Sequence, residues 1–434
     1  MSGDIVADHP HVLDIGALPT LEDHGYDGGR MAFRRFCARA FQPGGPRFLR
    51  GDGGALVVFR HTDLRALAAR PELSALAPNQ LFPGLLGVEP LEEKPVGFAI
   101  ADLIKNQLFG ANGALNATLR KVLLNQIGPK PTAARGDAAR QIAGRILEDL
   151  PLGETVDLVE RIAEPLIGLY WGGLIGMTDE EALSAAVQAR KMTPMLFLRP
   201  DGDGIVEADA AATAYRGLVE GASQRALGAG GCPFVSDMAR DLAMVDIADD
   251  LDHGGYVPKT VGAFLAGNLF DGFHTAALAI TNTIRTLIDN AEVVNRLRAE
   301  PEKAAAAVSE CLRLEPPVIH LNRIVSADLE YDEWTIPAGT RVMMMWGAAN
   351  RDPEAFPDPE CFDLDRPQQG STTFGGGAHI CPGRFVAGLV ARSLVEALIE
   401  RRIEVRAAGD ADDWIGNHAM CQLRHLPVIL ERRP

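Results

Sequence analysis

The sequence has no excess of positive charge, no paired cysteines and few aromatic residues. Acidic residues outnumber basic ones 58 to 42, for a formal charge of −16. That balance excludes nucleic acid as a general partner and sets the chain against anionic membrane surfaces. The six cysteines (Cys37, Cys232, Cys311, Cys361, Cys381 and Cys421) form no CxxC pair and follow no regular spacing. A disulfide framework and a zinc knuckle are therefore excluded, and a reducing cytoplasm is the expected setting. The first residues, MSGDIVADHPHVLD, lack the basic start and apolar core of a secretory signal. No uncharged apolar run reads as long enough to span a bilayer, so no membrane partner is expected.

Repeats, low-complexity tracts and long Pro/Gly/Ser linkers are also missing. The 434 residues are accordingly expected to form a single domain, residues 1–434, large enough to bury a pocket. Residues 45–75 read as two short strands around the turn DGG, followed by a helix starting near Thr62. Residues 115–190 carry apolar side chains at helical spacing, with breaks at GPKP and LPLGE. A Pro- and Gly-rich stretch at 81–100 reads as an irregular loop of the kind that binds ligands. The longest helix is expected over 258–290, opened by Pro258 and interrupted by Gly262, Gly267 and Gly272. Glycines inside a helix that is otherwise apolar imply that something approaches its backbone closely. Another helix (301–315), short strands (329–346) and a terminal helix from about 383 complete the reading.

One stretch stands apart. FGGGAHICPGRF, residues 374–385, places four glycines and a proline around Cys381, just before a helix. Cys381 is open to three readings: a metal ligand, a nucleophile, or a small buried hydrophobe on a tight turn. A thiolate is a soft ligand for iron, and both a following helix N-terminus and the N–H groups of a glycine bend stabilise it.

Phe374, Gly375, Gly377, His379, Cys381 and Gly383 match FGxGxHxCxG, and here the sequence resembles the heme loop of cytochrome P450 enzymes. Upstream, Glu310 and Arg313 stand at ExxR spacing. IPAGT (336–340), NRDPEAFPDPECFDLDR (350–366) and LPV (426–428) follow in the family's order. The resemblance implies a mainly α fold with small β-sheets (α+β), a triangular helical domain with heme between a long central helix and the cysteine loop. It also implies heme b with Cys381 as the iron ligand, and Phe374 and Gly375 beside the cofactor. Arg366 would join Glu310 and Arg313 in a buried ion network that holds the loop. His379, Arg323 and Arg120 would meet the heme propionates, because buried carboxylates need cations or strong donors. Asn116 stands where relatives usually carry histidine or tryptophan; its amide still donates, without charge.

On the long helix the family places an acid followed by an alcohol to relay protons. The matching positions here are His274 and Thr275, and Asp271 occupies a position that is usually alanine. Two readings of Asp271 follow: it shares a proton path with His274 and Thr275, or it binds a polar or cationic substrate group. His274 either shuttles protons or points to the back of the helix and bonds structurally. The Thr275 hydroxyl either serves the relay or bonds back to its own helix.

The resemblance implies a monooxygenase that uses O2 to hydroxylate a small or medium hydrophobic molecule. Loop 81–100 and segments 192–204 (with Met195, Leu196 and Phe197), 316–322 and 413–420 would line its pocket. Electrons would come from a separate ferredoxin and an NAD(P)H-dependent reductase, docked near Lys121, Lys130, Arg384 and Arg392. The alternatives are a peroxide-driven, isomerase or dehydratase enzyme of the same family, or a non-catalytic heme sensor.

Overall fold

The computed structural model describes residues 11–81, 85, 94–193, 202–228, 231–245, 258, 260–367, 369–409, 412–416 and 419–433. Most of segment 192–204, much of loop 81–100 and part of 413–420 lie outside them, so Met195, Leu196 and Phe197 are not placed.

Helices dominate, with three small sheets at the periphery, as the sequence reading expects. Phe48–Arg50 and Leu56–Val58 pair antiparallel across the turn Asp52–Gly54, and helix His61–Ala68 follows. Leu56–Val58 continues the sheet by pairing parallel with Arg341–Met344, which pairs antiparallel with Leu321–Val325. Leu73–Ser74 closes that sheet's other edge. A second sheet joins Thr155–Asp157 to the C-terminal strand Pro427–Arg432 and to Ile403–Ala407. The third joins His11–Val12 to the hairpin Leu329–Tyr331/Trp334–Ile336.

The central element is helix Val261–Asp289. It begins three residues later than expected: Thr260 is the cap, its hydroxyl accepting from the Ala263 N–H at 3.1 Å, and Pro258 lies before the first turn. A capping hydroxyl satisfies one of the free N–H groups of the first turn, which proline at that point cannot do. By length and composition this helix could cross a membrane, yet it carries Asp271 and Arg285 and most of that stretch is buried inside the protein. Helices Glu164–Ile175, Gly202–Gly228, Ala304–Leu314 and Arg384–Glu400 pack around it. Its apolar residues therefore form a protein core.

Its three glycines mark three close approaches. A Cβ at Gly262 would meet the Glu220 backbone at 3.3 Å, one at Gly267 the Asn106 backbone at 2.9 Å, and one at Gly272 the Trp171 ring at 3.2 Å. Two neighbouring helices and the segment around Asn106 thus sit closer to the axis than any larger residue permits.

Candidate heme and substrate site

The loop carrying Cys381 is held from three sides. Gly377 has φ +62°, and a Cβ there would lie 1.8 Å from the Ala68 carbonyl oxygen, so only glycine fits. Behind the loop, Asn350 Oδ1 accepts from the Thr372 N–H at 2.7 Å, Asn350 Nδ2 donates to Thr373 Oγ1 at 2.8 Å, and Thr373 Oγ1 donates to the Leu312 carbonyl at 3.0 Å. The Cys381 N–H donates to the Phe374 carbonyl at 2.9 Å, and Phe374 packs against the main core. Gly375 takes φ +75°. These contacts fix the bend. Sequence reasoning missed Thr372 and Thr373, whose small polar side chains carry no pattern of their own; Asn350 opens the quoted stretch 350–366, where no role was given to it.

The ion network lies under this bend. Arg313 grips Glu310 with Nε and Nη2, both at 2.8 Å, and Arg366 Nε adds a third bond at 3.0 Å. Arg313 Nη1 also donates to the Asn350 carbonyl at 2.9 Å, linking the network to the residue that holds the loop. Burial pushes the Glu310 carboxyl up, but the two guanidinium groups outweigh it and hold it below the usual carboxylate range.

On one flank of Cys381 three nitrogen bases converge. Arg323 is 5% exposed, and among the described residues its side chain makes one hydrogen bond, Nη1 to the Asn322 carbonyl at 2.8 Å. Burial pushes its guanidinium down to about 10. Arg120 donates to the Ile380 carbonyl and through Nε to Asn116 Oδ1 at 3.3 Å. His379 stands between Asn112, 3.1 Å from Nε2, and Asn116, 3.4 Å from Nδ1. Burial, together with the charges of Arg323 and Arg120, pushes His379 down to about 3. Among the described residues, no carboxylate lies within ion-pair distance of these three groups. Such a cluster is stable only opposite an anion. Asn116 supports this flank indirectly, since its Nδ2 also donates to the Ala111 carbonyl at 3.0 Å.

Burial raises the Cys381 thiol, the Gly383 N–H draws it down, and the negative charge of Asp271 raises it again. The Asp271 carboxyl is thus near enough to Cys381 for its charge to bear on the thiol. Along the helix, Asp271, Gly272 and Thr275 keep accessible surface while Phe270, Phe273, His274 and Ala276 are buried. Desolvation pushes the Asp271 carboxyl up to about 7, with the Gln107 side chain drawing it back. Thr275 Oγ1 donates to the Asp271 carbonyl at 2.6 Å. His274 lies on another flank beside Gln422; burial pushes it down to about 4, and its Nε2 has no hydrogen-bond partner. On the opposite side of the molecule's cysteine loop, Arg384 donates to the Cys381 carbonyl at 2.7 Å and Arg392 pairs with Glu396 at 3.3 Å.

A thiol in a preformed bend, beside three bases that lack an anion, fits a porphyrin bearing an iron and two carboxylates. The comparisons with known proteins agree. The family model described as "Cytochrome P450" matches residues 240–406. C-19 steroid 1alpha-hydroxylase from Sorangium cellulosum is 27% identical over 76% of this chain and 83% of its own length. 6-Deoxyerythronolide B hydroxylase from Saccharopolyspora erythraea is 26% identical over 89% and 92%. The solved structure of cytochrome P450-153 from Novosphingobium aromaticivorans superposes with a TM-score of 0.71 at 22% identity, covering 96% of this chain and 99% of that one. The ligand-free cytochrome P450 TbtJ1 gives 0.72 at 25%, covering 93% and 98%.

Fold and loop thus define an enzyme of the heme-thiolate class. The chain is similar to cytochrome P450 monooxygenases, through the family model over residues 240–406 and through relatives over most of its length.

Proposed function

We propose that the protein binds heme b through Cys381 and hydroxylates a small to medium, largely apolar molecule, with electrons from a separate ferredoxin and its NAD(P)H-dependent reductase. The overall change is RH + O2 + two electrons + two protons → ROH + H2O. Heme-thiolate iron, when bound, supplies the reductive activation of O2. The observation that carries this reading is the anion-deficient cluster of Arg120, His379 and Arg323 beside Cys381.

The residues of the chain divide the remaining work. Arg323, Arg120 and His379 bind the propionates, with Asn116 and Asn112 orienting the imidazole. Phe374 and Gly375 shape the bend beside the porphyrin. Thr275 is the hydroxyl that handles protons at the cavity, oriented by the Asp271 carbonyl. His274, neutral near pH 7 and turned to Gln422, packs the helix and stays outside the proton path. The Asp271 carboxyl faces the substrate. Hydroxylation, as opposed to another outcome, is supported by the two relatives whose names are hydroxylases.

The test is turnover of heme-loaded protein with a surrogate ferredoxin, its reductase and NAD(P)H. Consumption of O2 and NAD(P)H that rises with substrate and yields an alcohol is expected. Equal turnover with peroxide alone would favour a peroxide-driven enzyme. A carbon monoxide adduct without the thiolate signature would remove Cys381 from the iron.

A further inference from the structure

We propose that Asp271 anchors a substrate bearing a protonated amine at one end of an otherwise apolar body. This rests on the cavity of the preceding section and names the chemistry of what enters it.

The carboxyl of Asp271 has a setting that an apolar substrate leaves unresolved. It is enclosed by protein yet keeps accessible surface. Among the described residues no Lys, Arg or His nitrogen lies within 4 Å of it, whereas several other buried acids are matched by a cation. Glu315, for instance, takes Arg30 at 2.7 Å, and Glu310 takes Arg313 at 2.8 Å. A buried carboxylate without a cation is costly, and the cost falls when a ligand supplies the charge.

Two further polar groups beside Asp271 are also unsatisfied. Gln107 is 5% exposed and lies against the carboxyl, yet its Nε2 makes no hydrogen bond of normal geometry. Tyr215 is fully buried; among the described residues its hydroxyl has no partner, and desolvation raises its phenol, with the Asp271 charge adding to that. Of these groups only the Asp271 carboxyl keeps accessible surface; it would take the ammonium charge and its N–H groups, with the Gln107 side chain bracing it from behind. The surroundings are apolar. Tyr215 packs edge-on against Phe270 and Phe273, with ring centroids 6.3 and 5.8 Å away.

Electrostatics at longer range point the same way. An anionic substrate group would face the Asp271 carboxylate, whose charge already reaches as far as Cys381. The propionate-binding bases converge on His379 and leave Asp271 without a cation. A net charge of −16 concentrates cations at the surface and speeds their entry. A hydroxyl or carbonyl on the substrate would satisfy a hydrogen bond but leave the buried charge uncompensated, so the amine is the better fit.

The experiment uses ferric, heme-loaded protein and a matched pair of probes. One is an arylalkyl trimethylammonium ion, whose nitrogen has no lone pair and so cannot ligate iron. The other is its tert-butyl isostere, equal in shape and uncharged. Binding is measured by equilibrium dialysis and by the change in heme absorbance. The cation is expected to bind at least about tenfold more tightly, a discrimination in the range of one buried charge contact. In Asp271→Asn the preference should fall to within about twofold, with heme content and the carbon monoxide spectrum unchanged.

Equal binding of the two probes to the wild-type protein overturns the proposal, and this arm needs no variant. A preference that survives in D271N overturns it as well, because the charge is then read elsewhere. Loss of heme or of the thiolate signature in the wild-type protein strikes the heme-enzyme reading itself, so the two failures are distinguishable.

Discussion

Thr275 Oγ1 donates to the Asp271 carbonyl at 2.6 Å, so two residues of the long helix that keep accessible surface are tied together across one turn. The bond is of the side chain to i−4 carbonyl type, which contributes little to stability and locally loosens the helix. In Thr275→Ala, product formed per NAD(P)H should fall several-fold while the unfolding midpoint moves by about 1 kcal/mol or less. Thr275→Ser should recover most of the coupling. Unchanged coupling in the alanine variant would remove Thr275 from proton handling.

Replacing Glu310 by Gln leaves Arg313 and Arg366 facing each other without a full negative charge between them. Breaking a buried pair from one side costs roughly 3–5 kcal/mol. Because Arg313 also supports Asn350, the damage should reach the cysteine loop. Denaturant unfolding should show the loss, and a heme scavenger should strip the variant faster than the wild-type protein.

Gly272→Ala sets a methyl group 3.2 Å from a rigid indole. Overpacking of this kind costs about 1–3 kcal/mol. The double variant Gly272→Ala/Trp171→Leu should show positive coupling in a mutant cycle, since the second change opens the space that the first one needs. Additive losses would mean that the ring is not the obstacle.

Glu164 gives the stability curve a slope near neutrality. Desolvation pushes its carboxyl up to about 7 from 4.5, against the pull of Arg190 at 3.4 Å. A raised folded pKa means that the fold favours the protonated form. Stability associated with this group is therefore full below about pH 4.5 and lost as pH rises through about 7. Glu164→Gln should leave the melting temperature nearly unchanged at pH 4.5 and raise it at pH 8, by an amount equivalent to about 2–3 kcal/mol. Arg190 keeps Glu160 at 2.9 Å in that variant, so no cation is orphaned.

The elements legible in the sequence were those with a strong local signal. The hairpin around Asp52–Gly54 has its turn glycines, the long helix its apolar periodicity, and the cysteine loop a motif too specific to mistake. The helix glycines were legible as close approaches, although the partner of each, Trp171 for Gly272, came only with the structure. Less legible was the direction of single side chains. His274 and Thr275 are neighbours, and a turn of about 100° per residue sends one toward Gln422 and leaves the other with accessible surface. Periodicity fixes that angle between them but not which face of the helix meets the cofactor. The anion-deficient bases were legible only as separate matches, because Arg120, Arg323 and His379 come from distant parts of the chain and their lack of carboxylates is a property of space.

That distance has a consequence for biosynthesis. Arg120 reaches the Ile380 carbonyl across 260 positions, and Val428 of the last strand pairs with Val156. Long-range pairings of this kind form slowly and leave partly made chains exposed. A ribosome that has produced only the first half of the protein has made Arg120 but neither the thiol nor the loop that Arg120 will brace. On the proposed function, the porphyrin would be gripped from both sides only after translation has passed Cys381, so cofactor capture would be an event of nearly finished chains.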